Sequence, residues 1–165
     1  LKKRFIGPLL RLIGKNKKLS AAIRFVQERF VSEGAFMGIV VDHGGQRCLV
    51  LVETWDGWHT LPGGAKRSNE SLKVAAIRET EEEVNVKVTE CRFIGVWTER
   101  GIPRHLFLAV LWEGDVAKDG VEIKEAVLVP LERIPDLLGD ETMNLSPDIH
   151  PLLRALMAKV EASPI

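Results

Sequence analysis

The sequence predicts an α+β fold in which a mixed β-sheet is flanked by helices. Three observations support this prediction. β-Branched and apolar runs typical of strands precede one helix with a regular charge pattern. Further strand-like runs follow that helix, and an amphipathic helix lies near the end of the sequence. Strands grouped around isolated helices favour a layered sandwich, because each element must bury one apolar face.

The composition is that of a single globular domain. A chain of 165 residues is long enough to bury a sizeable core. No apolar run approaches the roughly 20 residues that are needed to span a bilayer. The two cysteines, Cys48 and Cys91, are far apart and lie in apolar, strand-like runs. We therefore expect them to be small core side chains of a cytoplasmic protein in a reducing compartment.

The first 30 residues differ from the rest in charge. They carry nine Lys or Arg against one acid, Glu28, so the remainder of this neutral sequence is acidic. Their apolar residues recur with helical spacing. We predict a basic helical N-terminal extension at 1–30 and one domain at 31–165. The extension is expected to pack on the acidic body or to join two subunits, with contact to an anionic membrane or to RNA as the alternative.

Two strands and a turn lead towards the central helix. Residues 34–42 and 47–54 are predicted strands joined by a hairpin turn at 43–46. Trp55 and Trp58 come next, and core packing and stacking on a ligand are equally good interpretations of these rings.

The helix itself follows a Pro-Gly-Gly turn at 62–64. Ser68 or Asn69 is expected to cap its N-terminus, with Glu70 in the first turn. Asn85 follows the last periodic position and suits a left-handed C-terminal turn.

Three carboxylates share one face of this helix. Glu79, Glu82 and Glu83 stand at the i, i+3, i+4 spacing, and such close carboxylates repel one another unless a cation lies between them. Carboxylate oxygens bind hard divalent ions such as Mg²⁺, usually together with substrate phosphates. Arg78 is four residues from Glu82 and is placed to orient it. An isolated acidic run is more often a solvated helix face, but the turn, the cap and Arg78 favour a metal site here.

Three predicted strands lie downstream of the helix: 86–99, 104–112 and 126–129. A turn at 100–103 joins the first two strands, and a polar loop precedes the third. Residues 131–138 are predicted to form a short helix that Pro135 kinks or splits. The final amphipathic helix is predicted from Asp148 to about Glu161.

The stretch from Gly64 to Val86 resembles the Nudix box, G-x5-E-x7-R-E-U-x-E-E-x-G-U, in which U is a bulky apolar residue. Every charged position of the box is matched. Thr80 stands where an aliphatic residue is usual, and Asn85 stands where Gly is usual, but neither departure touches a metal ligand. The resemblance implies the Nudix α/β/α sandwich with a mixed sheet.

The same resemblance implies an enzyme that hydrolyses diphosphate bonds with Mg²⁺, or with Mn²⁺ as a substitute. In this likeness the metal ligands are the backbone carbonyl of Gly64 and the carboxylates of Glu79, Glu82 and Glu83. Arg78 then orients the carboxylates of the box.

Nudix proteins often add one carboxylate from a later segment. Glu125 is the best match, because E-A-V-L-V-P is similar to the family pattern E-x-x-W-V-P. Glu122 is its competitor.

Substrate choice is less clearly marked. Residues 102–106, IPRHL, resemble the segment P-D-R-H-I of the MutT-like branch, which hydrolyses nucleoside triphosphates. The predicted substrate contacts are Trp58, Arg104 and Asp148, although capping the last helix is favoured for Asp148 over a hydrogen bond to a base edge. Ile149 stands where that branch has a base-reading Asn, which leaves purine-specific recognition unsupported.

A nucleoside triphosphate is therefore the leading substrate, and ADP-ribose or another nucleotide sugar is second. A nucleotide- or RNA-binding regulator on a Nudix scaffold is the alternative from another class. The complete set of box carboxylates favours the enzyme.

Overall fold

The computed structural model describes residues 33–99, 101–117, 122–139, 143–147 and 149–162. The predictions for residues 1–30 and for Asp148 lie outside these ranges. Within them, no helix has the length and apolar character needed to cross a membrane.

The described residues form eight strands and three α-helices. The strands are β1 (Gly34–Gly38), β2 (Val40–His43), β3 (Gln46–Thr54), β4 (His59–Thr60), β5 (Gly63–Ala65), β6 (Lys87–Glu99), β7 (Ile102–Glu113) and β8 (Ile123–Pro130). The helices are α1 (Leu72–Val84), α2 (Ile134–Leu137) and α3 (Ile149–Glu161), with a 3-10 turn (Leu131–Arg133) before α2.

The strands belong to two sheets. One sheet has the order β5-β1-β7-β6, and it is mixed because β1 runs parallel to β7 while the other pairs are antiparallel. The second sheet is antiparallel, with the order β2-β3-β4 and with β8 on the other edge of β3. The predicted α+β class with a mixed sheet is confirmed.

The predicted single strand over 34–42 is wrong in one respect, because the chain changes sheets at Ile39. Residues before Ile39 pair with β7, and residues after it pair with β3. Ile39 is fully buried, and its carbonyl accepts a hydrogen bond from the Val50 N–H at 3.0 Å. A continuous apolar run does not reveal such a change of partner, since its side chains are buried in either sheet.

Two apolar clusters fill the space between the sheets and the helices. Leu49 and Leu51 of β3 pack in the cluster beneath α3, whereas Val50 and Val52 pack in the cluster beneath α1. Because successive strand side chains point to opposite faces, α1 and α3 cover opposite faces of the sheets. This arrangement is the predicted helix-sheet-helix sandwich.

Several strand ends extend beyond the predicted bounds. β8 begins at Ile123 rather than Ala126, and its charged start is held by an ion pair from Lys124 Nζ to Glu53 Oε1 at 2.5 Å. A strand that begins with charged residues is not detected from its apolar pattern when the partners of those charges are distant in sequence. The predicted division of 131–138 is confirmed, with Pro135 in the first turn of α2, where its missing N–H is not needed.

Candidate active site

Helix α1 presents the acidic residues of the site, and its two ends are well defined. The Ser71 Oγ accepts a hydrogen bond from the Val74 N–H at 3.2 Å, so Ser71 is the N-cap. The predicted caps, Ser68 and Asn69, are wrong, and Glu70 precedes the helix instead of lying in its first turn. Several neighbouring polar residues could cap the helix equally well. The contacts of the Glu70 side chain determine which of them does so.

The two departures from the Nudix box are accommodated locally. The Thr80 side chain is fully buried, and its hydroxyl donates a hydrogen bond to the Ala76 carbonyl at 2.8 Å. Asn85 adopts the expected left-handed conformation with φ of 59°. Its N–H bonds to the Glu81 carbonyl at 3.2 Å and closes the helix.

Arg78 is the central cation of the site. Its guanidinium binds both oxygens of Glu70, with Nη2–Oε1 at 2.7 Å and Nε–Oε2 at 3.0 Å. Its Nη1 lies 2.7 Å from Glu79 Oε1 and 3.4 Å from Glu82 Oε2, and its Nη2 donates to the Ala65 carbonyl at 3.3 Å. The sequence predicted an orienting role towards Glu82, whereas the shortest contacts are to Glu70 and Glu79.

Two of the three clustered carboxylates are buried. As whole residues, Glu79 and Glu83 are each 8% exposed. Burial raises the pKa of Glu79, and the bond from Arg78 partly offsets this effect. Burial raises the pKa of Glu83 well above its usual value, although Glu83 Oε2 accepts a hydrogen bond from the Gly63 N–H at 3.0 Å. Ionised, these carboxylates form a site of unbalanced negative charge that favours a cation.

Gly64 lets strand β5 approach the carboxylates closely, and Gly63 lets the same strand approach β1. A Cβ on Gly64 would lie 2.8 Å from the Glu79 carboxyl carbon. A Cβ on Gly63 would overlap the Ala35 carbonyl oxygen and lie 2.8 Å from the Phe36 Cα. The Gly64 backbone is therefore beside Glu79, as a shared metal site would require.

The two candidates for the additional carboxylate have different surroundings. After burial, the charge of Glu122 is among the causes that raise the pKa of both Glu79 and Glu83, so Glu122 lies near the cluster. Glu125 pairs in register with Glu53 on β3. By strand alternation Glu125 shares a face with Val127, which packs in the cluster beneath α3, on the side away from α1. This effect of its charge makes Glu122 our first candidate, and Glu125 stays the alternative.

The predicted substrate contacts occupy different parts of the fold. Arg104 lies on β7, and its guanidinium carbon is 5.8 Å from the centre of the Phe36 ring. Trp58 is half-buried in the turn before β4, where its carbonyl accepts a hydrogen bond from the Thr54 N–H at 2.8 Å. Asp148 is outside the described residues. Arg67 was not predicted, because it occupies a variable position of the box, yet its Nη2 lies 3.7 Å from Glu82 Oε1.

The residues present fit a hard divalent cation. In the described ranges, no three His, Cys, Asp or Glu side chains already converge as a metal site. Arg78 contacts two of the three predicted carboxylate ligands, Glu79 and Glu82. All the candidate donors are carboxylate or carbonyl oxygens, which suit Mg²⁺ or Mn²⁺. The raised pKa values of Glu79 and Glu83 indicate carboxylates that a bound cation would stabilise in the charged form.

The contact between Glu70 and Arg78 carries a prediction about acid stability. The hydrogen bond from Arg78 lowers the pKa of Glu70 to about 2, against a usual 4.5. A lowered folded-state pKa stabilises the fold above the unfolded value, and this contribution is lost as the pH falls from about 4.5 towards 2. In urea titrations, Glu70→Gln should therefore be less stable than the wild type at pH 7, with a difference that shrinks steadily below pH 4.5. A difference that does not depend on pH would contradict this linkage.

Comparison with known proteins places the chain in a family. A family model of the NUDIX domain matches residues 32–149. No curated protein sequence gives a significant match to the chain. Among solved structures, the NUDIX domain of Shewanella oneidensis NrtR, complexed with ADP ribose, is similar with a TM-score of 0.64 at 18% identity, over 81% of this chain and 92% of that chain.

Two further structures show the same likeness. An Ap4A hydrolase of C. elegans, in a binary complex, has a TM-score of 0.58 at 20% identity and covers 81% of this chain and 100% of its own. A MutT NUDIX hydrolase from Burkholderia pseudomallei has a TM-score of 0.59 at 18% identity and covers 76% of this chain and 97% of its own. These likenesses show a common fold. The chain belongs to the Nudix family, whose members are hydrolases of diphosphate bonds.

Proposed function

We propose that this Nudix hydrolase cleaves the diphosphate linkage of a nucleoside triphosphate, using Mg²⁺ or Mn²⁺. The observation that carries the proposal is the complete box, in which Glu79 and Glu83 are buried beside the backbone of Gly63 and Gly64. A binding protein has no need to keep two carboxylates in a position where burial opposes their ionised form. A metal-dependent hydrolase has that need.

Each residue of the site has a separate task in this proposal. Glu79, Glu82 and Glu83, together with the Gly64 carbonyl, would hold the divalent ion. When bound, such an ion balances charge on the diphosphate oxygens and lowers the pKa of coordinated water. Arg78 orients Glu79 and Glu82, so that little reorganisation is needed when substrate arrives.

The leaving group would be recognised by residues outside the carboxylate cluster. Arg104 and Trp58 are the candidate contacts in the described ranges, and Asp148 is retained as a candidate from the sequence. ADP-ribose is the second candidate substrate, because the similar domain of Shewanella oneidensis NrtR was solved with ADP ribose. We also propose a cytoplasmic location, which suits the free thiols of Cys48 and Cys91.

A substrate panel tests the proposal. Wild type and Glu83→Gln are incubated with GTP, ATP, ADP-ribose and Ap4A, each with Mg²⁺ or Mn²⁺, and the products are separated by anion-exchange chromatography. We expect one compound to dominate in the wild type and Glu83→Gln to lose turnover on all of them. A wild type that hydrolyses none of these compounds would remove the hydrolase proposal and favour a binding role.

The choice between the two late carboxylates gives a matched pair of variants. We expect Glu122→Gln to lower kcat by roughly 10- to 100-fold, because it removes an oxygen donor or base beside the cluster. The kcat of Glu125→Gln should stay within about twofold of the wild-type value, since Glu125 is an exposed residue of β8. The measurement is steady-state turnover of the best panel substrate. The reverse ranking of the two variants would restore Glu125 as the additional carboxylate of the site.

A further inference from the structure

Arg67 lies at the rim of the carboxylate cluster on a firmly held backbone. Its N–H donates to Glu70 Oε1 at 2.8 Å, and its carbonyl accepts from the Glu70 N–H at 3.4 Å. Glu70 is in turn held by two hydrogen bonds from Arg78. The loop before α1 therefore holds the backbone of Arg67 in place for as long as Arg78 remains bound to Glu70.

The Arg67 side chain is much less constrained than its backbone. It is 56% exposed, and its Nη2 lies 3.7 Å from Glu82 Oε1, which is longer than a hydrogen bond. Arg78, by contrast, is 15% exposed and is bound to Glu70 and to the Ala65 carbonyl. Of these two cations beside Glu82, only Arg67 can turn away without breaking short hydrogen bonds.

We propose that Arg67 contacts the substrate diphosphate, and that it is paired with Glu82 only while no divalent ion is bound. This inference rests on the function proposed above. An ion held by Glu82 would balance the charge of this carboxylate and so weaken its attraction for the Arg67 guanidinium. A phosphate bound to the same ion would be close to Glu82 and therefore to the Arg67 side chain. The planar guanidinium matches phosphate oxygens in a two-pronged contact.

The two roles of Arg67 give effects of opposite sign. Towards the metal alone, Arg67 competes for Glu82, so its removal should strengthen metal binding. Towards a diphosphate, Arg67 is an attractive contact, so its removal should weaken binding. A residue that merely supports the fold would change both affinities in the same direction.

Isothermal titration calorimetry on the full chain measures both affinities. For Mn²⁺ alone, we expect Arg67→Ala to bind about two- to fivefold more tightly than the wild type, the range for losing one exposed ion pair. For α,β-methylene-ADP, a diphosphate that is not hydrolysed at the methylene bridge, we expect about tenfold weaker binding at saturating Mn²⁺. Lys73→Ala is the control, because it removes an exposed cation from α1 whose charge acts on Cys91.

Conservative replacement separates charge from shape. Arg67→Lys should bind Mn²⁺ like the wild type and should recover only part of the affinity for the methylene analogue, because an ammonium lacks the fork. With a substrate that is turned over, Arg67→Ala should raise KM with little change in kcat.

The outcomes distinguish this inference from the proposed function. If the wild type binds the analogue and turns over a panel compound, but Arg67→Ala matches Lys73→Ala in both titrations, then the role of Arg67 is wrong. Equal directions of change for Mn²⁺ and analogue would overturn it as well. If the wild type neither binds the analogue nor hydrolyses any panel compound, the proposed function itself has failed, and the inference that rests on it is overturned with it.

Discussion

Glu83→Gln is expected to lower kcat/KM by roughly 10²- to 10³-fold while making the metal-free protein more stable at neutral pH. Glu83 as a whole residue is 8% exposed, and the pKa of its carboxyl group is raised well above the usual value by burial. An amide has nearly the same shape, and its oxygen can still accept the hydrogen bond from the Gly63 N–H. The variant therefore loses the negative charge that a metal needs and also loses the cost of burying that charge.

The direction of the stability change follows from the raised pKa. A group with a raised folded-state pKa stabilises the fold at pH values below its unfolded pKa, near 4.5, and this stabilisation disappears as the pH rises through the raised value. The metal-free wild type should thus lose stability between acid and neutral pH, and Glu83→Gln should lose less. Near pH 8, each kcal/mol by which Glu83→Gln is more stable than the wild type corresponds to a rise in Tm of about 2–4 °C for a domain of this size.

Differential scanning calorimetry with EDTA or with Mg²⁺ is the measurement. The control is Glu81→Gln, which removes the same charge from an exposed position of the same helix. It should leave both turnover and the pH dependence of Tm close to those of the wild type. Glu83→Gln that is less stable than the wild type in EDTA at pH 8 would show that the buried carboxylate is not a source of strain.

Arg78→Ala has the second large expected effect, which falls on both stability and activity. The substitution leaves Glu70 and Glu79 without the guanidinium that contacts them at 2.7 Å, and these side chains are only 9% and 10% exposed. Removing one partner of a buried charged network costs about 3–5 kcal/mol. Turnover should also fall by roughly 10- to 100-fold, because Glu79 and Glu82 lose the group that orients them.

Urea unfolding and steady-state kinetics check these effects. Arg78→Lys keeps the charge but lacks the two-pronged contact with Glu70, so we expect an intermediate loss of stability. Arg133→Ala is the matched control, because its pair with Asp136 spans 3.9 Å between side chains that are 60% and 72% exposed. Such a surface pair contributes about 0–1 kcal/mol. An Arg78→Ala variant as stable as Arg133→Ala would contradict the network.

The parts of the fold that local chemistry controls could be predicted from the sequence. Glu79, Glu82 and Glu83 lie together because helix geometry alone places i, i+3 and i+4 on one face. Asn85 ends α1 as expected, since few residues adopt its left-handed conformation. The N-cap was predicted wrongly, as Ser68 or Asn69 instead of Ser71, because Glu70 is drawn out of the helix by Arg78. That contact depends on the side chains of a folded helix.

The sequence by itself thus determined the family, the layered α+β class and the acidic face of α1, which all follow from short-range periodicity and one motif. Tertiary structure alone decided which distant groups meet that face. In the folded chain the charge of Glu122 acts on Glu79 and Glu83, whereas strand alternation in β8 places Glu125 on the α3 side. Tertiary structure also sets Arg67 beside Glu82, through a loop whose backbone is held by Glu70. Pairing between strands and between a loop and a helix depends on the folded path of the chain, which residue spacing does not record.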